Sequence, residues 1–234
     1  MATKKQRAGR RTDALSKERI VEAAVELLDA AGEGGLTFKA LTERLATGPG
    51  AIYWHVANKG ELLAAATDAV LGDTLTVPAG SSGAPLDEIR GVALGLFDAI
   101  VEHHWLATQF ALQLSRKPWG SVTPRLFETL GRQVRALGIP QGDWFTATSA
   151  LVHYVLGAAG QNAANARTLG SGVDRAEFLD TASKAWKELD PVDFSFTHAI
   201  ADQMRGHDDR EQFLAGIDLV LTGITAAHLP SAAT

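Results

Sequence analysis

Three backbone breakers, Gly48, Pro49 and Gly50, are followed at once by Tyr53, Trp54 and His55, then by Asn58, Lys59, Gly60 and Glu61. A phenol, an indole, an imidazole and an ammonium thus crowd a stretch of about two helical turns. Such groups suit recognition of a polyanion. A phenol O–H and an imidazole N–H donate to phosphate oxygens, and an aromatic ring packs on a thymine methyl. Gly50 lets a backbone approach a groove closely. Lys59 adds charge beside the N–H groups that open the next helix, which themselves attract phosphate.

The remaining chain offers little for catalysis. It has no cysteine, which excludes disulfides, thiolate metal sites and a thiol nucleophile and fits a cytoplasmic setting. His103 and His104 are adjacent, so on a helix they point about 100° apart, unlike the i, i+4 pairs that chelate a metal. Ser149 and His153 stand four apart with no acidic third partner in the pattern. We expect a chain that is not an enzyme and has no cofactor and no metal. No run of 18 apolar residues suggests a membrane span, and "MATKKQRAGRRTD" lacks the apolar stretch of a secretory signal.

Charge is unevenly spread. Residues 1–60 carry ten Lys and Arg against seven Asp and Glu, a net +3; the remainder carries twelve against twenty, a net −8. A basic front on an acidic body suits contact with a polyanion at one end.

The elements that must position these groups are helical throughout. Ile20, Ala23, Ala24, Leu27, Leu28 and Ala31 recur at three- and four-residue steps, with Ser16 as N-cap and Gly32 as stop. Thr37 caps a second helix with Ala40, Leu41 and Leu45 inward. Pro49 opens a third, running to about Val56, with Ile52 and Val56 toward the core and Gly50, Tyr53 and Trp54 on the opposite side. Asn58 and Glu61 have capping-box spacing for a fourth. Residues 76–85 form a Gly-, Ser- and Pro-rich loop. Further helices are expected over 86–104, 105–115, 122–137, 142–167, 174–188, 195–205 and 208–228. The fold class is all-α: a basic flexible arm over 1–15, a helix-turn-helix unit over 16–60, and a larger helical body over 61–234.

Leu36 to Leu62, "LTFKALTERLATGPGAIYWHVANKGEL", resembles the DNA-binding domain of TetR-family transcriptional regulators. With the preceding helix the resemblance covers roughly residues 16–65. It implies a DNA contact at Lys39, flanked by Thr37 and Phe38. It implies base contacts at Pro49 and Gly50, and phosphate-facing positions at Tyr53, His55 and Lys59. Arg7, Arg10 and Arg11 resemble an arm that some members lay in the minor groove. The chain departs from the family in its turn, Ala46-Thr47-Gly48 in place of Gly-Val-Ser. Its recognition helix begins Pro-Gly-Ala, with almost no polar side chain to read bases, so shape, thymine methyl contacts or Lys39 are expected to carry more of the discrimination.

The resemblance further implies a body that binds a small effector and dimerises. Trp105, Phe110 and Phe127 are candidate pocket walls, and Gln113, His153 and Asn162 candidate polar anchors, for a largely apolar ligand. Gly157, Gly160 and Ala164 on one helix, and Phe213, Ile217 and Leu221 on another, are candidate dimer contacts. The expected function is a ligand-responsive repressor that binds a pseudo-palindromic double-stranded operator as a homodimer. Two alternatives stand beside it: a ligand-independent DNA-binding regulator or activator, and an all-helical small-molecule binder or enzyme without DNA binding.

Overall fold

The structure, a computed structural model, describes residues 15–72, 74–76, 83–169 and 174–228. The expected basic arm, Arg10 and Arg11 included, lies outside them. Residues 1–69 and 70–234 form two compact units, each taken here by itself.

In the first unit α1 spans Lys17–Gly35, α2 Phe38–Leu45, α3 Pro49–Tyr53 and α4 Lys59–Leu71, the last running across the boundary. The Ser16 hydroxyl caps α1 by accepting from the Arg19 N–H at 3.3 Å. Gly32 takes φ +61° and breaks the winding of α1 where the sequence signals a stop. Thr37 caps α2, accepting from the Ala40 N–H at 3.0 Å. Such caps contribute on the order of 1 kcal/mol each. α2 ends in a Schellman arrangement: the Ala46 N–H reaches the Glu43 carbonyl and the Thr47 N–H the Thr42 carbonyl. Ala46 sits there at φ +50°, a left-handed conformation that glycine adopts more cheaply.

Asn58 and Glu61 start α4 as the spacing suggests. The Asn58 side chain accepts from the Glu61 N–H, and the Glu61 carboxylate reaches back to the Ala57 N–H, both at 2.9 Å. Ile20, Leu28, Leu41, Ile52, Val56 and Leu62 fill the core. Ala40 and Leu45, expected inward, are half-buried.

In the second unit α5 spans Pro85–Glu102, α6 Leu106–Arg116, α7 Val122–Ala136, α8 Trp144–Leu169, α9 Arg175–Lys187, α10 Ser195–Arg205 and α11 Asp209–His228. A 3-10 turn over Gln141–Asp143 leads into α8. α8 is the central helix, packed on α5, α6, α7 and α11. Phe97, Phe110, Leu151, Val155, Phe213 and Ile217 form its surroundings. Tyr154 stacks on Phe213 with centroids 5.7 Å apart, and its hydroxyl donates to the Phe213 carbonyl at 3.0 Å. Burial raises the Tyr154 pKa, so the phenol stays a donor. Gly216 makes this approach feasible, since a Cβ there would fall 1.9 Å from the Tyr154 hydroxyl. Two exposed ion pairs, Arg90–Asp218 at 2.7 Å and Arg210–Asp98 at 3.1 Å, bind α11 to α5.

No strand occurs among the described residues, as the all-α expectation requires.

Candidate nucleic-acid interface and effector region

α3 is shorter than expected, five residues rather than eight. Its winding nonetheless continues, because the Val56 N–H still bonds the Ile52 carbonyl at 3.0 Å. Ile52 is 0% exposed and Val56 1%, while Tyr53 is 52% exposed and Trp54 86%. The exposed indole forgoes a burial worth on the order of 2–3 kcal/mol. Gly48 and Gly50 face open space, so the backbone at the start of α3 can approach a surface directly. His55 is half-buried on the flank.

The Phe38 ring stacks on Tyr53 at 4.5 Å and 17°. Sequence reasoning placed both residues at the interface but did not foresee that α2 braces α3 through them. The signal was available: two aromatics at the facing ends of a helix-turn-helix. The stack holds the Tyr53 ring in one orientation, with half its surface still open.

The two candidate lysines are placed differently. The Lys39 side chain is 86% exposed, with Glu43 4.0 Å away on the same helix, and is free to turn outward. The Lys59 ammonium instead donates to the Glu33 carbonyl at 2.5 Å. That bond ties the start of α4 to the end of α1. Lys17 lies 3.8 Å from Glu61, and Arg44 pairs with Glu26. Residues 15–60 hold five Lys and Arg against six Asp and Glu, a net −1. The positive charge of this end therefore resides in residues 1–14.

The second unit does not bring the candidate ligand residues together. Trp105, Phe110 and Gln113 are buried at 5%, 0% and 8% exposure. Phe127 lies at a notch between α7 and α8. His153 is exposed on α8. Asn162 alone of the six lines a cavity of about 800 Å³ between α8, α11 and the α9–α10 hairpin, where Trp186, Phe178 and Met204 form apolar walls. In the interior, Gln113 Nε2 and His104 Nδ1 are enclosed without a hydrogen-bond partner. Buried polar atoms left so cost about 1–3 kcal/mol each and mark a place where a polar ligand atom would be welcome.

The candidate dimer residues also divide. Phe213, Ile217 and Leu221 are 1%, 0% and 2% exposed within a single chain. They face α5 and α8 and cannot form the surface offered to a second copy, a correction to the stripe drawn from sequence. Gly160 faces Ala107 of α6. Gly157 and Ala164 are exposed. On α11 the outward line is Ala215, Leu219, Thr222, Gly223 and Ala226, with Leu219 75% exposed.

Three short helices with an outward aromatic third helix have the arrangement of a helix-turn-helix reading head. The model of "Bacterial regulatory proteins, tetR family" matches residues 20–66, and that of "Tetracyclin repressor-like, C-terminal domain" matches residues 78–228. A solved TetR transcriptional regulator from Streptomyces coelicolor is 66% identical, with TM-score 0.84, over 92% of this chain and 99% of that one. The class D tetracycline repressor of Escherichia coli is 28% identical over 89% of this chain and 88% of its own length. An HTH-type transcriptional regulator of Saccharopolyspora erythraea is 33% identical over 61% of this chain and 59% of its own length. The chain belongs to the TetR family of DNA-binding regulators, and it is not an enzyme.

Proposed function

We propose that the chain is a ligand-responsive repressor that binds a pseudo-palindromic operator as a homodimer and leaves it when a small molecule occupies the second unit. What supports this most is one observation: α3 buries Ile52 and Val56 completely while holding Tyr53 and Trp54 outward. The repressors among its relatives point the same way.

In this reading α3 enters a major groove at each half-site. Pro49 and Gly50 bring the backbone close. Tyr53 and Trp54 pack on sugars, thymine methyls and phosphates, with Phe38 as a brace and Thr37 as the cap that aims α2. Lys39 and His55 contact phosphate, and Arg10 and Arg11 supply the charge that residues 15–60 lack. Lys59 acts indirectly, by fixing α4 to α1.

The reading head extends to Ala69, where the first compact unit ends, and the effector and dimer functions belong to residues 70–234. The effector is a largely apolar molecule with an acceptor for Gln113 Nε2 and a polar atom for His104 Nδ1, set between the aromatic residues Trp105 and Phe110. It lowers operator affinity by binding better to the conformer that does not fit DNA. The homodimer forms through the outer faces of α8 and α11, at Gly157, Ala164, Leu219 and Gly223. No described helix is long and apolar enough to cross a membrane, and the setting proposed is the cytoplasm.

The test is a fluorescence-anisotropy titration with the duplex flanking the chain's own coding sequence. Wild type should bind it selectively, with affinity falling steeply as salt rises. Trp54→Ala and Tyr53→Ala should weaken binding without unfolding the protein. Equal, weak and unselective binding by all three proteins would falsify the repressor reading.

A further inference from the structure

The tip of α3 carries almost nothing that hydrogen-bonds a base. Pro49 has no N–H, and Gly50 and Ala51 have no polar side chain. Counted at about 100° per residue from the buried Ile52, Gly50 and Trp54 lie within about 20° of the direct outward line, with Ala51 and Tyr53 on its flanks. A Cβ at Gly50 would meet nothing within 4 Å, so a base edge can come close to the backbone there.

The polar side chains around this face are largely spent inside the chain. The Thr37 hydroxyl caps α2, and the Thr42 hydroxyl donates to the Lys39 carbonyl at 2.7 Å. Arg44 pairs with Glu26, and the Lys59 ammonium holds the Glu33 carbonyl. Lys39 and Glu43 face each other at 4.0 Å. Thr47 and His55 are half-buried. What α3 turns outward is an apolar surface with two polar tips, the Tyr53 phenol and the Trp54 indole N–H.

That chemistry selects among bases. In the major groove adenine, guanine and cytosine present hydrogen-bonding groups, whereas thymine adds a C5 methyl. An apolar face leaves the former unpaired and buries the latter. Tyr53 is the side chain best held for this. Phe38 covers one face of its ring, with centroids 4.5 Å apart and 17° between planes, and the residue remains 52% exposed. A ring already clamped loses little freedom on contact. The five residues of α3 rise about 7.5 Å, roughly two base steps of about 3.4 Å. Each half-site should therefore place T·A pairs at two or three adjacent positions beneath α3.

We propose that the chain reads its operator through the C5 methyl groups of thymine rather than by hydrogen bonds to base edges, with the Tyr53 ring as the specificity-determining group. The proposal rests on the repressor reading above and names the base chemistry that reading uses.

The test removes the methyl and nothing else. The duplex flanking the coding sequence is amplified with thymidine or with deoxyuridine throughout, and each is titrated by anisotropy beside a scrambled duplex. Wild type should bind the deoxyuridine duplex about tenfold or more weakly, with no such difference on the scrambled pair. Tyr53→Phe keeps the ring and should keep that ratio; Tyr53→Ala should bring it close to one. Circular dichroism checks that both variants fold. A third duplex carrying 7-deazaguanine removes the guanine N7 that a lysine would reach, and wild type should bind it nearly as well as the unmodified one. Selective binding that is equal on thymidine and deoxyuridine duplexes overturns methyl reading and leaves the repressor reading standing. So does a larger loss on the 7-deazaguanine duplex, which would make Lys39 the reader. A ratio that Tyr53→Ala leaves unchanged overturns the role of the ring. Binding that is unselective on every duplex overturns both readings.

Discussion

The two units spend their aromatic side chains in opposite ways. In the first, aliphatic residues such as Ile20, Leu41 and Ile52 fill the core, and Trp54 is 86% exposed. In the second, Phe97, Phe110, Trp105 and Phe213 are at most 5% exposed, while Trp119, Phe145 and Phe196 are turned outward at different places. A small unit of short helices has little interior to fill, so a large ring can be kept for a surface. A larger bundle has the interior to take its rings.

This contrast can be broken by mutation. The largest effect is expected in the second unit. Phe213→Ala removes a ring packed against Phe97 and Tyr154 and should cost about 3–5 kcal/mol in chemical unfolding; a loss near zero would mean that α11 does not depend on its inward stripe. Gly216→Ala forces a methyl onto the Tyr154 hydroxyl. It should cost about 1–3 kcal/mol, partly recovered in the Tyr154→Phe background.

The first unit should respond in binding rather than stability. Trp54→Ala should leave the melting temperature nearly unchanged, because surface changes stay within about 0.5 kcal/mol. Operator affinity should drop about tenfold or more, given about 1–3 kcal/mol for a good base contact. A large drop in stability instead would show the indole to be structural. In the same unit, Ala46→Gly relieves a left-handed alanine. It should stabilise by up to about 1 kcal/mol, measurable as a higher unfolding midpoint.

The smallest effect concerns the hairpin in acid. Asp180 is held below the usual carboxylate range chiefly by the hydrogen bond from Lys184, and Asp202 chiefly by that from Lys187. A depressed pKa gives stabilisation that is present above the ordinary carboxylate value and lost as pH falls through the depressed one. Below about pH 4 these ion pairs should weaken. Hydrogen exchange in α9 and α10, corrected for its intrinsic pH dependence, should then accelerate ahead of that in α8.

Much of the first unit is legible from sequence because its determinants are local. Ser16, Thr37 and Asn58 cap helices within three residues of themselves, and a 100° step sorts Ile52 from Trp54. Lys59 shows where local reasoning stops. Its position beside a helix start suits a phosphate, but its partner, Glu33, is distant in sequence and became visible only once α1 and α4 met. In α11, the spacing of Phe213, Ile217 and Leu221 identifies an apolar face. It does not say whether that face meets the same chain or another. Leu219, off the stripe, is the residue left outward.

Sequence by itself determined the all-α class, the caps and breaks, the reading helix with its inner and outer faces, and the exclusion of thiol chemistry. These follow from propensity, capping and periodicity, whose range is a few residues. Tertiary structure alone decided which apolar faces are spent inside the chain, that Phe38 braces Tyr53, that Lys59 is a staple, and that Gln113 Nε2 lacks a partner. Those outcomes depend on which distant surfaces meet, and a helical period is the same whatever it packs against.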